Sequence, residues 1–206
     1  MKGIGIGSGF GGVINIKRGH YEFDMKGQEG ACIGSVNGNS ELLIEYCDMD
    51  IYSGISNGTI IGSVNGDADI KLENISAKLQ GAGNIITGIG TIAGNSCMVR
   101  LENVNISSNI RAKECYGIGC RAGRTNIYIG YAAVKSVVQG KAAVAFGNSV
   151  MSAKLYCSNA DIGTNAVTEF NSDIGALEKN IQLENGRAEF ILNGQEVKRQ
   201  ILAARL

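Results

Sequence analysis

The stretch IGSVNG occurs twice in this chain, at 33–38 and at 61–66, and it decides the fold. Related stretches precede and follow it: IGSGFG at 6–11, IGTIAG at 89–94, IGCRAG at 118–123, FGN at 146–148 and IGA at 174–176. The first glycine of the seven copies falls at 7, 34, 62, 90, 119, 147 and 175, so the spacing stays between 27 and 29 residues. A unit of constant length that recurs over almost the whole chain predicts a repeat architecture.

Each unit carries a second landmark, a triplet that is apolar, variable and apolar. It reads LLI at 42–44, IKL at 70–72, IYI at 127–129 and, in the sixth unit, AKL at 153–155. This alternation is typical of a strand with one buried face. A unit of about three short strands cannot close a core alone, but stacked units pair each strand in parallel with its counterpart. The sequence therefore predicts an all-β fold: a single-stranded parallel β-helix, or β-solenoid, of about seven 28-residue coils.

The composition agrees with this architecture. Glycine accounts for 30 of the 206 residues, proline is absent, 44% of the residues are hydrophobic and 18% are charged. A disordered glycine-rich chain would carry more charge and fewer apolar residues, and collagen would need glycine at every third position. Glycine at fixed positions supplies the corners of each coil, whereas proline would remove a donor from ladders that continue on both sides.

The repeats define one long domain, the β-solenoid at 1–192, followed by a C-terminal cap or tail at 193–206. The segment from Gln195 to Leu206 is compatible with a helix, because Val197, Ile201 and Leu202 would lie on one face of it. Met1 almost abuts the first repeat, so we expect the first coil to be covered by a partner or by a missing domain. End-to-end association of copies is the alternative, because unpaired rungs invite edge-to-edge pairing.

Charge and cysteine usage narrow the function classes. Lys and Arg number 19 and so do Asp and Glu, which argues against nucleic-acid binding by this segment. No apolar stretch long enough for a membrane span is present and no apolar signal core follows Met1, so neither a membrane span nor secretion is predicted. The six cysteines form no CxxC pair. We expect reduced, buried thiols in a cytoplasmic protein, without a metal or another cofactor.

The outward positions of the best-aligned strand give the candidate binding residues. Glu45, Glu73 and Glu102 recur at the same position of successive units, and Lys71 and Arg100 stand beside them. One interpretation is an acidic ladder that binds a cation or sugar hydroxyls, or that supplies acid and base for glycoside or uronate chemistry. The other is a mixed-charge surface on which the cations offset the repulsion between the glutamates.

No residue is assigned a catalytic role. His20 is the single histidine, in a predicted loop of the first unit, and no second histidine, serine or cysteine completes a motif around it. A solvated loop histidine is the expectation.

The repeat spacing resembles that of parallel β-helix proteins in general, which include polysaccharide lyases, pectin hydrolases, adhesins and ice-binding proteins. GACIGSVNG at 30–38, GTIIGSVNG at 58–66 and ENGRAEFILNGQEV at 184–197 give a narrower likeness. They resemble glycine-rich solenoid segments appended to LytTR-type transcriptional regulators of anaerobic gut bacteria. That resemblance implies a cytosolic regulatory or interaction module, with the DNA-binding part outside this chain.

The leading expectation is therefore a non-enzymatic interaction or sensing module that binds a protein or a carbohydrate-like ligand on a side face or an end coil. The alternative is a carbohydrate-active β-helix enzyme, or a carbohydrate-binding or adhesin domain. The two classes separate on the distribution of charge. An enzyme needs two carboxylates, or a carboxylate with Lys or Arg, converging in one groove.

Overall fold

The computed structural model describes residues 2–150, 152–169 and 181–197. In these residues the chain contains no helix and forms a parallel β-solenoid of about six turns with a spacing of about 28 residues, which confirms the predicted fold class. The corner of the seventh sequence copy, at Gly175, lies outside the described residues. The strands are β1 (Lys2–Ser8), β2 (Gly12–Asn37), β3 (Ser40–Asn65), β4 (Ala68–Gln139), β5 (Ala142–Gly147), β6 (Ala153–Val167), β7 (Ile181–Glu184), β8 (Arg187–Leu192) and β9 (Gln195–Glu196).

The long strands β2, β3 and β4 bend around the corners of the coil, so each strand pairs with the next turn of the chain along most of its length. The IGSVNG copies show the register: Ile33 pairs with Ile61, Gly34 with Gly62, and Ser35 with Ser63. Since parallel strands lie about 4.8 Å apart, each residue stands directly beside its equivalents on the neighbouring turns.

The interior of the coil is a stack of aliphatic columns. Leu42 pairs with Ile70, and Leu155 pairs with Ile127 and Ile181 in a later part of the same column. Except for Ile181, which is 6% exposed, these side chains are at most 1% exposed. Full burial of each aliphatic side chain stabilises the fold by about 1.5–3 kcal/mol, so the columns hold the turns together.

One corner of each turn is formed by glycine at a positive φ. These angles are +154° at Gly7, +137° at Gly34, +140° at Gly62 and at Gly90, and +138° at Gly119. The residue after this glycine points inward, and its polar group is satisfied inside the coil. Ser35 Oγ lies 3.2 Å from Ser63 Oγ and 2.9 Å from the Gly38 carbonyl oxygen.

A second corner places a non-glycine residue in the left-handed region at φ between 45° and 57°. Asparagine occupies four of the seven places in this series, and it tolerates the conformation better than most residues do. Asn103 Nδ2 donates to Asn74 Oδ1 at 2.6 Å, which links two successive turns. The series is Arg18, Tyr46, Asn74, Asn103, Tyr131, Asn159 and Asn185.

The sixth coil corrects the predicted alignment by two residues. The sequence triplets place Lys154 beside Tyr128, but in the structure Tyr156 pairs with Tyr128, and Lys154 pairs with Asn126. Ser158, not Tyr156, therefore pairs with Gly130. The error has a simple cause: a slip of two residues keeps every side chain on the same face, so alternation alone does not reveal it.

The C-terminal end also differs from the expectation. Gln195 and Glu196, which the sequence places at the start of a helix, form β9 and pair antiparallel with Leu192 and Ile191 of β8. Asn193 and Gly194 form the turn before them, at φ 51° and 80°. Ile201 and Leu202, on which the helical interpretation rested, lie outside the described residues.

Candidate functional site

A groove of about 680 Å³ lies on the outer face of the later coils. All of its lining residues lie on β4, β6 and β7, so the backbone pairing between turns fixes their positions. Outward side chains of one column, from Lys71 through Tyr128 and Tyr156 to Gln182, run along one side. Along the other side run Glu73, Glu102, Gly130, Ser158 and Glu184.

Two tyrosines form the aromatic part of the groove. The rings of Tyr128 and Tyr156 stack with their centroids 5.0 Å apart and their planes within 7° of parallel. The separation matches the spacing of neighbouring strands, because the two residues are register partners on successive turns. The pair forms an aromatic ridge on this side of the groove, and Tyr128 is 40% exposed.

Beside this ridge the groove deepens into a notch. Its floor is Gly130, which has no side chain, and Ser158, which has a short one, and the two are paired in register. The carboxylate of Glu102 leans over Gly130 and fills the space that a Cβ would take there. Glu184 pairs with Ser158 from the following turn. The notch is thus bounded by a carboxylate at each end and by tyrosines along one side.

The cations of the groove are already engaged. Lys71 Nζ lies 2.8 Å from Glu73 Oε1. Arg100 Nη1 lies 2.5 Å from Asp69 Oδ1 on the preceding turn. Among the described residues, Glu102 and Glu184 have no ion pair or hydrogen bond of their own. The free charge at the notch is therefore negative.

Four of the five predicted binding residues meet in this groove: Glu73, Glu102, Lys71 and Arg100. Glu45 does not line it. Glu45 pairs in register with Glu73, but its carboxylate lies 2.9 Å from Lys17 Nζ. That hydrogen bond lowers the pKa of Glu45 and raises the pKa of Lys17. On the earlier coils, therefore, this face is the mixed-charge surface of the second interpretation.

Sequence reasoning missed the tyrosine pair and the notch. Tyr128 is the outward residue of the triplet at 127–129. Aligning this triplet with the one at 153–155 places Lys154 beside it instead of Tyr156. The signal that finds the pair is the count of residues from one triplet to the next. A constant step of 28 residues from Tyr128 leads to Tyr156.

Other chemistry-bearing residues lie outside this groove. His20 is exposed, with its ring Nε2 3.1 Å from Glu22 Oε1. All six cysteines are buried free thiols, as expected from the sequence. In the described part of the chain, no cluster of three or more His, Cys, Asp or Glu side chains is placed to hold a metal ion. The described residues also contain no helix long and apolar enough to cross a membrane.

In comparisons with known proteins, no family model matches the chain, and no curated protein or solved structure matches it either. The fold consequently rests on the strand pairing described above. The narrower resemblance to LytTR-associated solenoid segments has no family match behind it.

Proposed function

We propose that this chain is a non-enzymatic β-solenoid binding module that holds a carbohydrate-like ligand in the groove of its side face. The observation that carries the proposal is the stacked pair Tyr128 and Tyr156, bordered by a notch and by hydrogen-bonding side chains. A sugar ring has apolar C–H faces and hydroxyl groups around its rim. It therefore fits a site that offers an aromatic surface together with donors and acceptors.

The polar groups of the groove supply both kinds of hydrogen-bond partner. The amide of Gln182 and the hydroxyl of Ser158 donate and accept, Arg100 donates, and the carboxylates of Glu73 and Glu102 accept. All of these residues lie on β4, β6 or β7, which pair with neighbouring turns of the solenoid. A site on rigid elements loses little conformational entropy when it binds, which favours recognition of a ligand with few apolar atoms.

The electrostatics favour binding over catalysis. An acid and a base for glycoside chemistry need different environments that push their pKa values apart. In this groove Glu73 is held by Lys71, and Glu102 is an exposed side chain. Neither carboxylate is buried.

The test is a titration against a panel of oligosaccharides, followed by isothermal calorimetry and by chemical-shift changes of labelled tyrosine rings. We expect binding that shifts the Tyr128 and Tyr156 resonances. Tyr156→Ala should weaken it by about tenfold or more, since stacking on an aromatic ring contributes roughly 1–3 kcal/mol. Tyr52→Ala is the matched control, because Tyr52 is an exposed tyrosine, 37% accessible, outside the groove. No binding by any oligosaccharide contradicts the proposal.

A carbohydrate-active enzyme is the second candidate, because Glu73, Glu102 and Arg100 do converge in one groove. That convergence is the feature expected of an enzyme of this architecture. Release of new reducing ends or of unsaturated sugars from a bound polysaccharide, lost in Glu102→Gln, would establish this candidate. A polysaccharide that stays intact after long incubation would contradict this candidate and favour the binding module.

The wider setting that we propose is a cytoplasmic regulatory one. Its support is the resemblance carried by the stretches at 30–38, 58–66 and 184–197. A groove that senses a sugar would then control a DNA-binding part of the same regulator. A mobility-shift assay on the polypeptide as the cell makes it, with and without the groove ligand, tests this setting. A native polypeptide that binds no DNA in either state contradicts it.

A further inference from the structure

We infer that the groove takes a neutral, linear, β-1,4-linked sugar chain, which lies along the solenoid axis with successive sugar rings on successive turns. The inference rests on the proposed function, because it specifies the class of ligand for the same groove. Three features carry it: the length of the groove, the step between its equivalent side chains, and the balance of its charges.

The groove is long and narrow, and its long direction is the solenoid axis. One of its sides takes an outward residue from each of five successive turns: Lys71, Arg100, Tyr128, Tyr156 and Gln182. Four strand spacings separate the first of these turns from the last, or about 19 Å. The two sides stand only two residues apart on each strand, or about 7 Å. A single sugar ring would leave most of this length empty, whereas about four linked rings would fill it.

The step along the groove matches the step of an extended sugar chain. Tyr128, Tyr156 and Gln182 are register partners on successive turns, and the two tyrosine ring centroids lie 5.0 Å apart. A β-1,4-linked hexose chain runs almost straight, and each ring advances it by about the distance between neighbouring parallel strands. Successive rings of such a chain therefore meet equivalent side chains of successive turns. An α-1,4-linked chain curls into a helix and loses this match within a few rings.

The charges of the groove favour a neutral chain over an acidic one. Lys71 pairs with Glu73, and Arg100 pairs with Asp69, so neither cation is left to compensate a uronate. Among the described lining residues there is no other Lys or Arg. The two carboxylates that bound the notch accept hydrogen bonds from sugar hydroxyls, and they repel a carboxylate on a ligand.

The experiment is a chain-length series titrated into the intact chain by calorimetry. The probes are linear β-1,4-linked oligomers of glucose, of mannose and of N-acetylglucosamine, each from the dimer to the hexamer. We expect the affinity of at least one series to rise at least about tenfold from dimer to tetramer and then to level off, because further rings lie beyond the groove. Maltotetraose, the α-1,4-linked isomer of the glucose tetramer, should bind at least about tenfold more weakly than the best β-1,4-linked tetramer.

Three results overturn the inference and leave the proposed function standing. The first is an affinity that does not rise between dimer and tetramer. The second is binding of maltotetraose, or of oligosaccharides with other linkages, as tight as that of the best β-1,4-linked tetramer. The third is tighter binding of tetragalacturonic acid, which carries a carboxylate on every ring. Binding of no oligosaccharide at all overturns both the inference and the proposed function.

A variant at the far end of the groove tests the direction of the chain. Gln182 lies one turn beyond the tyrosine pair, where only the longer oligomers reach it. We expect Gln182→Ala to weaken the tetramer by about threefold or more, the loss of a hydrogen bond, and to change the shortest binding oligomer by less. Gln139→Ala is the matched control, since Gln139 is an exposed glutamine of β4 outside the groove. An equal loss for both lengths overturns the placement of the chain along the axis.

Discussion

The α-carbon of Gly62 faces the carbonyl oxygen of Gly90 on the next turn so closely that a Cβ on Gly62 would overlap this oxygen. At the same position the backbone of Gly62 has φ +140°, a conformation that side-chain-bearing residues rarely adopt. The same relationship joins Gly34 to Gly62 and Gly90 to Gly119. Glycine is required at this corner by both space and backbone angle, which gives the high glycine content of the chain a structural cause.

Gly62→Ala should therefore destabilise the fold severely. The backbone strain and the overlap with Gly90 together should lower the free energy of unfolding by about 3 kcal/mol or more. Urea unfolding followed by circular dichroism measures the loss. Gly163→Ala is the control, because its added Cβ would meet nothing closer than Lys135 Cγ at 4.0 Å. A Gly62→Ala protein that unfolds at the wild-type urea concentration would contradict this account of the corner.

At the second corner, in contrast, we expect a substitution to stabilise the fold. Tyr131 has φ 47° and is 65% exposed, so it carries the left-handed conformation without burying its ring. Asparagine adopts this conformation at lower cost. Tyr131→Asn should thus stabilise the protein by about 1 kcal/mol. Thermal unfolding measures the change, and Tyr131→Ala is the comparison, since alanine lacks the local hydrogen bonds. An alanine variant as stable as the asparagine variant would assign the gain to loss of the tyrosine instead.

The fold could be predicted from the sequence because the repeat is written directly in the glycine positions. A strand that pairs with its own equivalent one turn later needs the same residue types at the same step, and IGSVNG at 33–38 and 61–66 satisfies this. Interior columns such as Leu42 and Ile70 follow from the same step. Repetition thus converts a local pattern into long-range contacts.

The site could be predicted only in part. Lys71, Glu73, Arg100 and Glu102 emerged because their coils are in regular register. Tyr156 was lost because its coil differs in length on the two sides: the step from Tyr128 is 28 residues, and the step to Gln182 is 26. Alternation fixes which face a side chain occupies but not which turn it is paired with. The lean of Glu102 over Gly130 depends on a side-chain conformation that a sequence does not contain.

Gly130→Ala tests the notch without disturbing the coil. The added Cβ would occupy the place of the Glu102 carboxylate, which ends a flexible side chain and is free to turn outward. We expect the free energy of unfolding to change by less than about 1 kcal/mol. The affinity for an oligosaccharide bound in the groove should fall about as far as in Glu102→Gln, because the carboxylate is displaced from the notch. Unchanged affinity, measured beside Gly163→Ala, would show that the notch floor is not part of the site.

The buried thiols predict how stability responds to alkaline pH. Burial raises the pKa of Cys32, Cys115 and Cys120 to about 11 and that of Cys157 to about 12, whereas an unfolded cysteine titrates near pH 8.5 to 9. A thiol with a raised folded pKa contributes its full stability below the unfolded pKa. It loses that contribution as the pH rises from about 9 towards its folded value, because only the unfolded chain gives up the proton.

We therefore expect the urea midpoint to fall between pH 8 and pH 11, while the folded protein resists thiol reagents at neutral pH. Tyrosine and lysine side chains also titrate in this range. Comparing wild type with Cys157→Ala therefore isolates the contribution of one thiol. The variant should be less stable than wild type at pH 8, since a buried group is removed, and the difference should shrink towards pH 11. A difference that stays constant across this range would show that Cys157 does not titrate differently in the two states.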